Sequence, residues 1–179
     1  MICKIFIFLL AVAWIEAYPF HASCQIEWNF HTLPCDTVHQ KLVAQIKKWE
    51  GPTGCDSGGE KCLYNLTSNT ADELYATHST PKKHYLDKIH IKFYPQKMMN
   101  DFSSFGNVHQ FEKVVTDSHG CKVEAFSSSK LFYALLDFGT NYCNLHNLIM
   151  GCSFQAQDYD EVTDDSVCTQ YSSADCTKY

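Results

Sequence analysis

Residues 85–94 read YLDKIHIKFY, and the alternation inside them decides the fold class. Ile89, Ile91 and Phe93 fall on one side of an extended chain and Lys88, His90 and Lys92 on the other, the period of two expected for a strand with one dry face and one wet face. Strands of this kind belong to antiparallel sheets that pack one face on a core and turn the other to water. Two further strand patterns precede it, CLYNLTS (62–68) and ELYATHS (73–79), joined by the polar turn SNTAD. Two follow it, CKVEAFS (121–127) and LFYALLDFG (131–139). The last is apolar on both faces, which predicts a central position in the sheet.

Upstream of these strands the period changes. Val38, Leu42, Ile46 and Trp49 recur at i, i+4, i+8 and i+11, which predicts a helix from about Thr37 to Trp49. Asp36 or Thr37 can cap its start, Thr37 with Gln40 fits a capping box, and Gly51-Pro52 stops it. Asn141 to Met150 reads as a short second helix, with Leu145, Leu148, Ile149 and Cys152 on one face. Residues 18–34 show no sustained period and read as an extended lead-in tied down by Cys24. Residues 155–179 read as an acidic tail pinned by Cys168 and Cys176. The sum is an α+β domain over 18–179: one N-terminal helix packed across a curved antiparallel sheet of about five strands, stabilised by disulfides. That order resembles the cystatin-like fold in topology alone, because the Q-x-V-x-G inhibitory loop of that family is absent.

Residues 1–17, MICKIFIFLLAVAWIEA, have the layout of a secretory signal peptide: a basic residue at Lys4, an apolar run too short to span a membrane, and small residues at Ala11, Ala13 and Ala17. Cleavage there removes Cys3 and leaves nine of the ten cysteines in an oxidising compartment, secreted and extracellular. Eight of them pair in one of about a hundred connectivities. Short loops favour Cys55–Cys62 and Cys168–Cys176, and Cys24–Cys35 with Cys121–Cys143 completes a local scheme. Cys152 is then the odd thiol: a buried inert group, half of an intermolecular bridge in a disulfide-linked dimer, or part of another pairing. Asn65-Leu66-Thr67 is a glycosylation sequon, which needs Asn65 in solvent and so places Cys62, Tyr64 and Leu66 inside.

The net charge is −6, and all 14 basic residues are lysine. An acidic chain without arginine, the side chain suited to bidentate phosphate recognition, is not built to bind nucleic acid. Lysines cluster over 82–97 and acids over 158–175, solvated surfaces or a docking patch for an acidic partner.

No G-x-S-x-G, H-E-x-x-H or phosphate-cradling glycine loop is present. Ser57 in CDSGGEKC sits in a glycine-rich neighbourhood like that of a serine nucleophile, but the string reads better as a disulfide-closed turn. Asp137 with His146 is one of many acid–histidine pairs such a chain offers. His78, His84 and His90 recur every six residues and would suit zinc or copper if they shared a face, yet Lys88 and Lys92 on that face would repel a cation. The run DYDEVTDD (158–165) lacks the glycine and terminal glutamate of a calcium loop. No cofactor is expected.

The strings DFGTNYCNLHNL (137–148) and CTQYSSADC (168–176), with CLYNLTS and HSTPKKHYLDKI, resemble a family of secreted, cysteine-rich animal proteins. The resemblance spans most of the mature chain and implies a secreted domain, with no activity attached. The expected function is a non-catalytic binding module for an extracellular protein or a small apolar ligand. Its contact residues are expected to be Phe102, Phe105 and Phe111 on the long 96–119 segment, with Lys88, His90 and Lys92 on the exposed sheet face. The alternatives are a secreted hydrolase whose active site is distributed along the sequence, and a disulfide-linked extracellular structural component.

Overall fold

Alternation becomes register in the computed structural model, which describes residues 21–55, 59–96, 120–131 and 135–178. The elements run β1 (Ser23–Phe30), α1 (Cys35–Lys48), β2 (Tyr64–Asn69), β3 (Glu73–Ser79), β4 (Leu86–Gln96), β5 (Gly120–Ser129), α2 (Thr140–Gly151) and β6 (Tyr159–Val162). The strands form one antiparallel sheet in the order β2-β3-β4-β5-β1-β6. An α+β architecture therefore stands, with six strands where about five were expected, and the short second helix read at Asn141–Met150 is α2, which packs on the sheet beside the N-terminal helix.

Two segments were misread from the sequence. The lead-in is in fact β1, paired on both sides, with Trp28 opposite Val123 of β5 and Glu161 of β6. Its Cys24, Ile26, Trp28 and Phe30 alternate inward and are buried, so the period was present among flanking aromatics. Conversely, the described residues of 131–139 lie outside the sheet, and Leu135, Leu136 and Phe138 are 63%, 63% and 70% exposed. The apolar run is not a central strand; the centre belongs to β4 and β5.

Both helices lie on the inner face. Val38, Leu42 and Ile46 of α1 and Leu145, Leu148 and Ile149 of α2 meet Ile26, Trp28, Leu74, Ile89, Ile91 and Val123 in one apolar cluster. Each such side chain contributes roughly 1.5–3 kcal/mol when taken fully from water. Helix α1 starts at Cys35, earlier than the pattern predicts, and Cys35 is bonded to Cys121 of β5. Neither Asp36 nor Thr37 caps it; the Pro34 carbonyl accepts from the backbone of Thr37 and Val38 instead. Where the helices approach, a Cβ on Gly151 would come within 2.7 Å of Gln45 Cδ. With its amide oriented to satisfy both ends, Gln45 donates to the Gly151 carbonyl (2.8 Å) and accepts from Trp49 Nε1 (3.1 Å).

Four disulfides fasten this layout: Cys24–Cys168, Cys35–Cys121, Cys55–Cys62 and Cys143–Cys176. The eight expected cysteines pair, but only Cys55–Cys62 follows the local scheme. The others join segments distant in sequence: β1, lying between β5 and β6, brings Cys24 beside the C-terminal region, Cys35 ties α1 to β5, and Cys143 ties α2 to the same C-terminal region. That region is more than a solvated tail. Glu161 of β6 accepts from Trp28 Nε1 (2.9 Å) and Tyr142 Oη (3.0 Å), tying the strand to β1 and α2.

Candidate functional site

At one end of the sheet the β3–β4 turn, the last residues of β5 and the entry to α2 surround a cavity of about 570 Å³. Its walls are apolar at Tyr85, Leu86, Leu131, Leu136 and Phe138, and it is acidic at Glu60, Asp87 and Asp137. Lys82, Lys83 and Lys178 complete its charged lining. Leu131, Leu136 and Phe138, from the apolar run that reads as a buried strand, therefore supply cavity wall.

The acidic end is built from the inner sheet face upward. Asp87 shares its parity on β4 with Ile89, Ile91 and Phe93, so its carboxyl points into the protein and is 2% exposed. Ser129 Oγ donates to its Oδ1 (3.0 Å) and Asn144 Nδ2 to its Oδ2 (2.8 Å). Burial pushes its pKa up, and the two donors act against that. Asn141, one helical turn before Asn144, accepts from Ser127 Oγ (2.7 Å) and donates to the Ala22 carbonyl (3.1 Å). A helix carrying buried asparagines at 141, 144 and 147 is stable here because strand serines and carboxylates answer the two at its start.

Asp137 shapes the entry to α2. Its Oδ2 accepts from the backbone N–H of Asn141 (2.9 Å) and its Oδ1 from that of Gly139 (3.2 Å), a carboxylate at a helix start. Phe138 and Gly139 both take left-handed backbone, at φ 57° and 80°. The turn is held by Gln170, whose Oε1 accepts from the backbone of Asp137 (3.0 Å) and Phe138 (2.7 Å). A phenylalanine in this conformation is strained, and its side chain lines the cavity.

Glu60 comes from the loop closed by Cys55–Cys62. Its Oε2 is buried and meets no hydrogen-bond partner among the described residues. Burial, and then the nearby Asp87 charge, raise its pKa to about 7, with Lys82 acting weakly the other way. Its backbone carbonyl faces His78 Nε2 at 3.0 Å, so that nitrogen carries the ring proton. The His78 ring is fully buried against Tyr64, with centroids 4.4 Å apart, and burial lowers its pKa to about 4. Tyr64 Oη in turn donates to the Asn144 carbonyl (2.9 Å).

The residues proposed from sequence are dispersed. Phe102, Phe105 and Phe111 lie outside the described residues, as do residues 1–17 and Ser57. Lys88, His90 and Lys92 do share the open face of β4; His90 stacks on Tyr75 (4.1 Å) and its Nε2 lies 2.9 Å from Glu73 Oε2. A shallow groove of about 180 Å³ runs beside His90, Lys92 and Phe126 on that face. The three histidines do not converge: His78 is on the inner face, His90 on the outer, and His84 on an exposed turn. Asn65 is exposed on the edge strand β2. Cys152 is the one free cysteine among the described residues and is 7% exposed, its thiol pushed up to about 12 by burial. Those properties fit the inert thiol among the three alternatives.

Sequence reasoning missed Glu60, Asp87, Asn141 and Asn144. Two signals were available: a carboxylate at the dry parity of β4, and asparagines at i, i+3 and i+6 in an otherwise apolar helix. No family model matches this chain, and searches of curated proteins and of solved structures return no match.

Proposed function

We propose that the chain is a secreted, N-glycosylated, non-catalytic binding module that takes a small, largely apolar ligand into the cavity between the β3–β4 turn and α2. The observation that carries this is the pairing of a 570 Å³ concavity with large apolar side chains left in water at its edge: Tyr85 at 50%, Leu136 at 63% and Phe138 at 70% exposure. Concave, mostly apolar surface with a few buried polar groups is the usual form of a small-ligand site. Four disulfides support an oxidising, extracellular setting, and among the described residues no helix is long and apolar enough to cross a membrane. The exposed Asn65 is available to a glycan.

Native mass spectrometry of the secreted chain, beside displacement of an environment-sensitive dye, tests this reading. A retained small molecule, or dye binding abolished by Leu136→Trp, is the expected result. Absence of both removes it.

A hydrolase is the second reading, favoured by one observation: Glu60 in a cavity with its pKa near neutrality, where a general acid or base works best. Asp87 does not complete a catalytic pair, since both its oxygens are engaged by Ser129 and Asn144. Turnover of chromogenic esters or glycosides that disappears in Glu60→Gln would establish it.

A further inference from the structure

The three carboxyls in the cavity are not equivalent. Asp87 accepts from Ser129 and Asn144, and Asp137 accepts from the start of α2 on both oxygens. Of the three, Glu60 alone has a buried oxygen with no donor among the described residues. A buried, unanswered acceptor in a ligand-sized cavity calls for a donor that arrives with the ligand.

The surroundings select the charge of that donor. Asp87 and Asp137 line the same cavity and make its inner end negative. The lysines of the lining offset that end only in part: Lys82 acts on Glu60 from a distance, Lys82 and Lys83 are exposed on the β3–β4 turn, and Lys178 is paired with Asp175 at 3.0 Å. Among the described residues no lysine comes within ion-pairing distance of Glu60, Asp87 or Asp137. Tyr85 and Phe138 add aromatic rings to the lining, and aromatic faces attract cations.

Resting on the reading of the cavity as a small-ligand site, we infer that its ligand is a hydrophobic ammonium: an alkyl or aryl amine whose charged nitrogen is bound by the Glu60 carboxylate while its body lies along Leu86, Leu131, Leu136 and Phe138. The arriving cation answers the orphaned oxygen and offsets the negative field of Asp87. It keeps Glu60 ionised in a place where burial alone favours its neutral form. The Cys55–Cys62 loop and the His78 hydrogen bond hold Glu60 in position before the ligand arrives.

The test is calorimetry at pH 8 on the full secreted chain with three probes of equal chain length: octylammonium, octanol and octanoate. Octylammonium should bind tightest, and Glu60→Gln should weaken it by about tenfold or more, as expected for loss of a charge-assisted contact. Octanol affinity should change by less than about twofold in the same variant, which shows that cavity and fold survive the substitution. The inference is overturned if octanol or octanoate binds as tightly as octylammonium, or if Glu60→Gln leaves octylammonium unchanged; in those cases the cavity remains a ligand site of another specificity. If none of the three binds, the inference and the reading of the cavity fall together.

Discussion

His78 Nε2 lies 3.0 Å from the carbonyl oxygen of Glu60, so a buried, neutral ring on β3 holds the backbone of the residue that gives the cavity its acidic end. The contact spans 18 residues of sequence and adds to the disulfide that closes the same loop. Its removal should be felt in the loop and in the core together.

His78→Phe keeps a ring against Tyr64 and deletes the donor to Glu60. It should cost about 1–3 kcal/mol at neutral pH, because a partly buried carbonyl loses its partner. Burial lowers the folded pKa of His78 to about 4, below the unfolded value of 6.5. The unfolded chain therefore takes up a proton first, and His78 withdraws stability as pH falls from 6.5 towards 4. Urea unfolding across that range should show the acid-side slope reduced in His78→Phe; an unchanged slope would place its origin elsewhere.

Glu60 works with the opposite sign. Its folded pKa of about 7 lies above the ordinary 4.5, so the charged form costs stability as pH rises from 4.5 through 7. Glu60→Gln should therefore stabilise the empty protein at pH 8, by roughly 1–2 kcal/mol once solvent screening of this half-buried group is allowed for, and change little at pH 4. Thermal melts at the two pH values check this, and equal shifts at both would contradict it.

Asn144→Ala strips Asp87 of one of its two donors while leaving its carboxyl buried. A loss of about 2–4 kcal/mol is expected. A double-mutant cycle with Asp87→Asn, read by denaturant unfolding, should return a coupling of about 1 kcal/mol or more between the two positions. Additive effects would mean that the strand carboxylate and the helix amide do not act as a pair.

Cys152 should resist iodoacetamide in the native protein and react as a single thiol once the chain is unfolded without reductant, since it is buried and protonated. Non-reducing electrophoresis should show a monomer. Peptide mapping should recover Cys24–Cys168, Cys35–Cys121, Cys55–Cys62 and Cys143–Cys176.

Gly139→Ala should cost about 2–4 kcal/mol, from left-handed backbone at φ 80° and from a Cβ that would come within 2.5 Å of Ala174 Cβ. The damage should be local at first. Hydrogen exchange at the start of α2 and around Gln170 should quicken before the sheet does.

The sheet was largely legible because its rule is short-range. Ile89, Ile91 and Phe93 announce β4 by parity alone, and β3, β5 and α1 follow patterns of the same reach. What escaped depends on partners far along the chain. The run LFYALLDFG satisfies the criterion for a central strand, and only the placement of Leu136 and Phe138 on a cavity reveals that the apolar character serves a surface. Disulfide pairing failed for a related reason: loop length favours near neighbours, whereas β1 carries Cys24 across the sheet to Cys168. Asp87 was readable as a parity violation on a dry face, and its donors Ser129 and Asn144 were not, because neither neighbours it in sequence.

The place of β1 bears on how the chain can be made. Ser23–Phe30 is synthesised before either of its partners, β5 and β6, which come more than ninety residues later. Cys24 waits for Cys168 across a separation of 144, and Cys143 for Cys176 across 33. Non-local pairing of this kind slows folding, since long loops must close before the contacts reward them. A chain cut short before Cys168 would keep β5 and β6 beside the strand yet leave Cys24 and Cys143 without their partners, so Cys168 and Cys176 decide whether β1 and α2 are ever covalently sealed.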